Sequence, residues 1–242
     1  MGLNSVAIDG PSGAGKSTLA RRAAQALGYL YVDTGAIYRA LGLFALERGA
    51  DPADEAAVEA LLPQAEIRME HGGDGAQRMY LCGEDVTEAI RRPEVSRAAS
   101  LVSAIPAVRA YLLEMQRDLA RRHDVVMDGR DIGTVVLPQA TVKIFLTASP
   151  EARARRRYKE LEERGLSQPY EKVLSDIVER DRKDTTRETA PLRQAEDAAV
   201  VDTPSCFSAF IVANCSKSMI FFCDEVTFLF ILGDLVCFYP AA

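Results

Sequence analysis

Short apolar runs that end in a polar or glycine-rich turn recur along the chain: Ser5 to Asp9, Tyr29 to Asp33, Val125 to Asp128, Val142 to Leu146 and Ala198 to Asp202. Each is four or five residues long and apolar on both alternating faces, the pattern of a strand buried within a sheet. Between them lie stretches of helical length. Lys16 to Leu27 is stopped by Gly28, and Glu94 to Arg122 is broken in two by Pro106, which has no N–H to give to a helix interior. Strand and helix alternating in this way predict an α/β domain with a parallel sheet covered on both faces.

Two segments interrupt the alternation. Glu66 to Glu70 and Gln77 to Leu81 flank the glycine-rich turn His71 to Gly75 and read as a β-hairpin on an insertion. Further on, Ser149 as N-cap, Pro150 at the first helical position and Glu151 behind it open a helix that carries Arg153, Arg155, Arg156 and Arg157 and stops at Gly165. That helix is expected to act as a mobile lid in which one or two of the arginines matter.

Composition narrows the class. The 242 residues, 48% of them hydrophobic, suffice for one compact domain, and a net charge of −6 argues against a general nucleic-acid coat. The N-terminus lacks the basic region and apolar run of a secretion signal, and Cys82 is the lone cysteine before residue 204, so a cytoplasmic protein is expected.

The strongest chemical signal is Gly10-Pro11-Ser12-Gly13-Ala14-Gly15-Lys16-Ser17, placed directly after a strand and before a helix. The spacing is that of a P-loop: glycines let backbone amides close round a polyphosphate, and the helix start adds positive potential. With Thr18, these residues are the expected ATP contacts; Lys16 serves the β- and γ-phosphates and the Ser17 hydroxyl serves Mg²⁺. A dinucleotide-binding turn is excluded because Thr18 stands where the third glycine of its fingerprint belongs. A GTPase switch is excluded too, since no glycine has an aspartate three places before it. Arginine and aspartate instead cluster after two further strands, in Asp33 to Arg39 and Asp128 to Thr134, where Arg39 and Arg130 suit an acceptor phosphate. The mixed-charge run Glu179 to Arg187 reads on its own as a solvated helix end, and Ser100 and Arg109 as helix surface.

Six motifs in order resemble bacterial cytidylate kinases over about residues 3 to 203: IDGPSGAGKST from Ile8, DTGAIYRAL from Asp33, GEDVTEAIR from Gly83, DGRDIGTVV from Asp128, VKIFLTAS from Val142 and ERDRKDTTRETAPL from Glu179. The resemblance implies a P-loop NTPase fold with an inserted monophosphate-binding region at about 34–105 and a lid at about 149–166. It further implies transfer of the ATP γ-phosphate to CMP or dCMP, with Mg²⁺; a monomer that binds neither nucleic acid nor membrane is expected. Arg39, Arg130 and Arg187 are then expected on the acceptor phosphate, Ser100, Arg109 and Asp131 on cytosine, Arg180 and Asp184 on the sugar, and Thr34 beside the nucleotide. Lys16, Arg130 and Arg187 are expected near the transferring group, with Asp128 or Asp131 orienting its neighbours. A kinase for another small acceptor (UMP, shikimate) and an inactive nucleotide-binding regulator remain the alternatives.

After Thr203 the composition breaks. Residues 204 to 242 hold four of the five cysteines and seven of the nine phenylalanines, with Lys217, Asp224, Glu225 and Asp234 as the only charges. These charges cut the segment into pieces shorter than a membrane span. It is expected to be a frameshifted or misassembled end with an aggregation-prone stretch at Val226 to Leu232.

Overall fold

The computed structural model describes residues 3–72 and 77–203, together with the backbones of four strands within 204–242. In chain order the elements are β1 (Ser5–Asp9), α1 (Lys16–Leu27), β2 (Leu30–Asp33), α2 (Thr34–Glu47), α3 (Glu55–Leu61), β3 (Ile67–His71), β4 (Gln77–Leu81), β5 (Glu84–Asp85), α4 (Pro93–Val102), α5 (Pro106–Arg122), β6 (Val125–Gly129), β7 (Val142–Thr147), α6 (Pro150–Glu163), α7 (Tyr170–Thr186) and β8 (Ala199–Asp202). Four strands follow, β9 (Ala209–Asn214), β10 (Ser218–Cys223), β11 (Thr227–Leu232) and β12 (Leu235–Pro240), paired antiparallel in the order β12-β11-β10-β9. The tip of the expected hairpin, 73–76, and the side chains of 204–242 lie outside the described residues. No single helix among the described residues is long and apolar enough to cross a membrane.

The chain divides into two compact units, 1–31 with 123–186 and 190–242, and 32–122 with 187–189. The first is built on a five-stranded sheet in the order β2-β6-β1-β7-β8. β1 pairs in parallel with β6 on one side and β7 on the other, and β7 pairs in parallel with β8. Val6, Ile8, Val126, Ile144 and Leu146 turn their side chains into a core completed by Leu19, Ala20, Ala23 and Ala24 of α1. The alanines bring that helix close to the sheet. Gly28 ends α1 in the left-handed region (φ 69°), where a residue without Cβ pays no steric cost.

In the second unit α2 packs on α4, and the antiparallel pair β3–β4 covers them with Ile67, Met79 and Leu81. Gly42 sets the helix contact: a Cβ there would lie 2.8 Å from Ala99 N and 3.1 Å from Ala98 C, both backbone atoms. Pro106 does divide the long helical stretch, into α4 and α5.

Candidate functional site

Because β1 and β6 run parallel with Asp9 opposite Gly129, the turns that follow them leave the sheet side by side at its carboxyl edge. The first turn is the glycine loop and the second carries Arg130 and Asp131. In the loop Gly10, Gly13 and Gly15 have φ of 145°, 77° and 95°, conformations that side chains with a Cβ rarely adopt. Lys16 is the first residue of α1, buried, with its ammonium donating to Pro11 O at 2.7 Å. Burial, then the neighbouring Arg130 charge, hold its pKa well below the usual lysine range. Thr18 is exposed on α1.

The next residue shows how the fold prepares a hydroxyl. Ser17 Oγ donates to Asp128 Oδ2 at 2.9 Å, while Asp128 Oδ1 accepts from Tyr31 OH at 2.9 Å. Its proton committed, the serine oxygen keeps its lone pairs for a hard cation, and oxygen donors of this kind suit Mg²⁺. No group of three or more His, Cys, Asp or Glu that could hold a metal occurs among the described residues.

Arg130 donates from Nε to Asp184 Oδ2 at 2.8 Å, a pair 19% and 8% exposed at its side chains. Burial works against the guanidinium charge, but Asp184, Asp128 and Asp9 outweigh it and the pKa rises further. Asp184 and Arg180 stand on α7, whose charged run splits by helical period. Arg182 and Lys183 pair with Glu179 at the surface (2.8 and 3.6 Å), while Asp184 is buried and Arg180 half-buried. Of the four arginines on α6, Arg153 and Arg156 reach loop carbonyls, Arg157 pairs with Glu160 at 2.8 Å and Arg155 is exposed.

Asp9, unremarked in the sequence beyond its place at a strand end, is buried, and its carboxylate accepts from Ile132 N at 2.8 Å and Gly133 N at 2.7 Å. These amides open a turn of π-helix at Ile132–Val136, so Asp9 ties the end of β1 to the segment after β6. Burial pushes its pKa from 3.8 to about 6; the two amides and Lys16 pull the other way, and Asp131 adds to the rise. The folded form therefore holds its proton to a higher pH than the unfolded chain. The stability this contributes is full below the ordinary 3.8 and is lost as the pH rises through about 6. In an NMR titration the Ile132 and Gly133 amide shifts are expected to move together with a midpoint near pH 6; a midpoint near that of a free aspartate would refute the assignment.

In the second unit Asp33 caps α2 by accepting from Ala36 N at 3.0 Å and takes Arg39 Nη2 at 2.8 Å, which fixes the arginine at the start of that helix, whose first residue, Thr34, is buried. Arg109 is only 7% exposed, against the bare reading of a helix-surface residue. Its guanidinium carbon lies 5.5 Å from the Tyr38 ring centroid and its Nη1 donates to Ser103 O at 3.2 Å. Ser103 Oγ in turn donates to Ser100 O at 3.0 Å, so Ser100 and Arg109 are neighbours through Ser103. Arg187 is half-buried and belongs to this unit. Tyr31 and Ser103 carried no signal in the sequence, because their roles depend on which strands and helices become neighbours.

A family model described as cytidylate kinase matches residues 6–219. The cytidylate kinase of Pelotomaculum thermopropionicum is 53% identical over 200 residues, covering 83% of this chain and 88% of the relative. That of Carboxydothermus hydrogenoformans is 52% identical over 198 residues (82% and 89%), and that of Lactobacillus gasseri 47% over 215 residues (89% and 93%).

Proposed function

The chain belongs to the cytidylate kinase family, and on that premise we propose that it transfers the γ-phosphoryl group of ATP to CMP or dCMP, giving ADP and CDP or dCDP. The observation that carries this reading is the pairing of the glycine loop after β1 with the arginine turn after β6, since Lys16, Ser17, Asp128 and Arg130 then share one sheet edge.

Phosphoryl transfer passes through a loose transition state, so the protein's task is alignment and positive charge. Lys16 places an ammonium on the β- and γ-phosphates. Arg130 is held in place by Asp184 and by Gly129 O, to which its Nη1 donates at 3.2 Å, and presents its remaining donors to the moving group; the family resemblance assigns Arg187 to the same step. Asp128 orients Ser17 instead of acting as a strong base, because an acceptor phosphate is already anionic at neutral pH. When bound, Mg²⁺ held by the Ser17 hydroxyl neutralises charge on the donor phosphates.

The resemblance to the family assigns Arg39, Arg130 and Arg187 to the acceptor phosphate, and Arg180 and Asp184 to the sugar. Cytosine offers an amino group and two acceptors along one edge. Asp131 suits the amino group and Arg109 the acceptors, with Ser100 beside it. Uracil turns a carbonyl toward the carboxylate, and each unpaired group costs about 1–3 kcal/mol.

The test is a coupled ADP-release assay with ATP and Mg²⁺, offering CMP, dCMP, UMP, AMP and shikimate in parallel. CMP and dCMP are expected to turn over fast, UMP weakly, and AMP and shikimate not at all. A folded protein that binds ATP without turning over any acceptor would instead be an inactive regulator, and a preference for another acceptor would reassign the substrate.

A further inference from the structure

A cradle made of backbone amides turns its carbonyls away from the ligand, since N–H and C=O of one peptide point in opposite directions. A carbonyl turned into the protein needs a donor of its own. Four consecutive loop carbonyls have side-chain donors. Pro11 O accepts from Lys16 Nζ at 2.7 Å, Ser12 O from Arg153 Nη1 at 3.1 Å, Gly13 O from Arg156 Nη1 at 3.3 Å and Ala14 O from Thr203 Oγ1 at 3.1 Å.

The last three donors come from α6 and from the residue after β8, and they are tied together. Arg156 donates to Thr203 Oγ1 at 3.2 Å and to Thr203 O, Thr203 N donates to Thr147 O at 2.8 Å, and the single Thr203 hydroxyl proton is shared between Ala14 O and Thr147 O, each at 3.1 Å. Arg153 is 2% exposed and bonds through four of its five N–H groups, to Ala148 O, Ser12 O and both carboxylate oxygens of Asp181. Its Cβ lies 3.2 Å from the position a Gly13 Cβ would take, so its stem also fills the space behind the loop. An arginine engaged in this way braces the loop and does not reach for phosphate.

We propose that Arg153, Arg156 and Thr203 are positioning residues of the cradle, holding its outer carbonyls so that the inner amides stand ready for the donor phosphates. Asp181 completes the brace. It stands one turn before Asp184, the partner of Arg130, so a single turn of α7 fixes both the loop and the arginine of the transfer step. The proposal rests on reading Gly10 to Ser17 as the ATP site.

Thr203→Val removes the hydroxyl and keeps the branched shape, Thr203→Ser restores it, and Arg153→Lys keeps the charge but cannot bond Ser12 O and fork on Asp181 together. KM for ATP and for CMP, and Kd for tripolyphosphate by calorimetry, are measured on proteins whose melting curves show them folded. Thr203→Val is expected to raise KM for ATP and Kd for tripolyphosphate about tenfold, the worth of one hydrogen bond. KM for CMP stays near that of the parent, Thr203→Ser recovers the loss, and Arg153→Lys moves in the same direction as Thr203→Val. Folded Thr203→Val and Arg153→Lys proteins that bind tripolyphosphate as tightly as the parent, or weaken ATP and CMP alike, overturn the brace. A parent protein that fails to bind tripolyphosphate overturns the phosphate-site reading itself.

Discussion

Replacing Lys16 by methionine is expected to lower kcat by about 10³-fold, the scale of losing a charge aimed at a transferring phosphoryl group. Stability should move the other way. Burial and the nearby Arg130 and Arg180 depress the Lys16 pKa against the pull of Asp128 and Asp184, so the fold disfavours the ammonium relative to the unfolded chain. Methionine fills similar space without that charge, and the lost bond to Pro11 O is worth about 1 kcal/mol. The melting temperature should therefore hold or rise while turnover collapses. A Lys16→Met protein retaining kcat within tenfold of the parent would remove Lys16 from the transfer step.

Gly10→Ala should fail for a different reason. An alanine Cβ would meet Leu146 O at 2.0 Å and Leu146 C at 3.0 Å, and both are backbone atoms of β7, the strand beside β1. Neither can move without parting the sheet, and the φ of 145° is itself unsuited to alanine. We expect a loss of about 3 kcal/mol or more in urea unfolding, with ATP binding abolished. Gly28→Ala is the control. Its φ of 69° is also left-handed, but a Cβ there meets nothing within 4 Å, so about 1 kcal/mol is expected. Equal losses at the two positions would show that backbone angle, not crowding against β7, sets the cost.

What the sequence made legible was what depends on near neighbours. The five sheet strands, the stop at Gly28, the break at Pro106 and the Ser149-Pro150-Glu151 helix start follow from periodicity and capping within a few residues, and each appears in the fold. The glycine loop was legible because its anion chemistry is written in consecutive positions. The motif beginning at Asp33 was harder: a turn after a strand was expected, yet Asp33 caps a helix that starts at once with Thr34. The burial of Arg109 lies outside local pattern as well, because the Tyr38 ring that covers it belongs to a helix distant in sequence. The roles of Asp9, Tyr31 and Thr203 required knowing which strands lie side by side. The mixed-charge run was read whole as a solvated helix end, which holds for Arg182 and Lys183, whereas tertiary packing draws Asp184 inward.

The hydrogen bonds behind the glycine loop span 141 positions from Ser12 to Arg153, 143 from Gly13 to Arg156 and 189 from Ala14 to Thr203. A ribosome delivers Ala14 189 residues ahead of Thr203, so across that interval the P-loop is a glycine-rich stretch without its last brace. Contacts of such long range also slow folding, because chain closure has to precede the bonds that reward it. Closure of the outer side of the glycine loop is thus among the most sequence-distant steps in forming this unit.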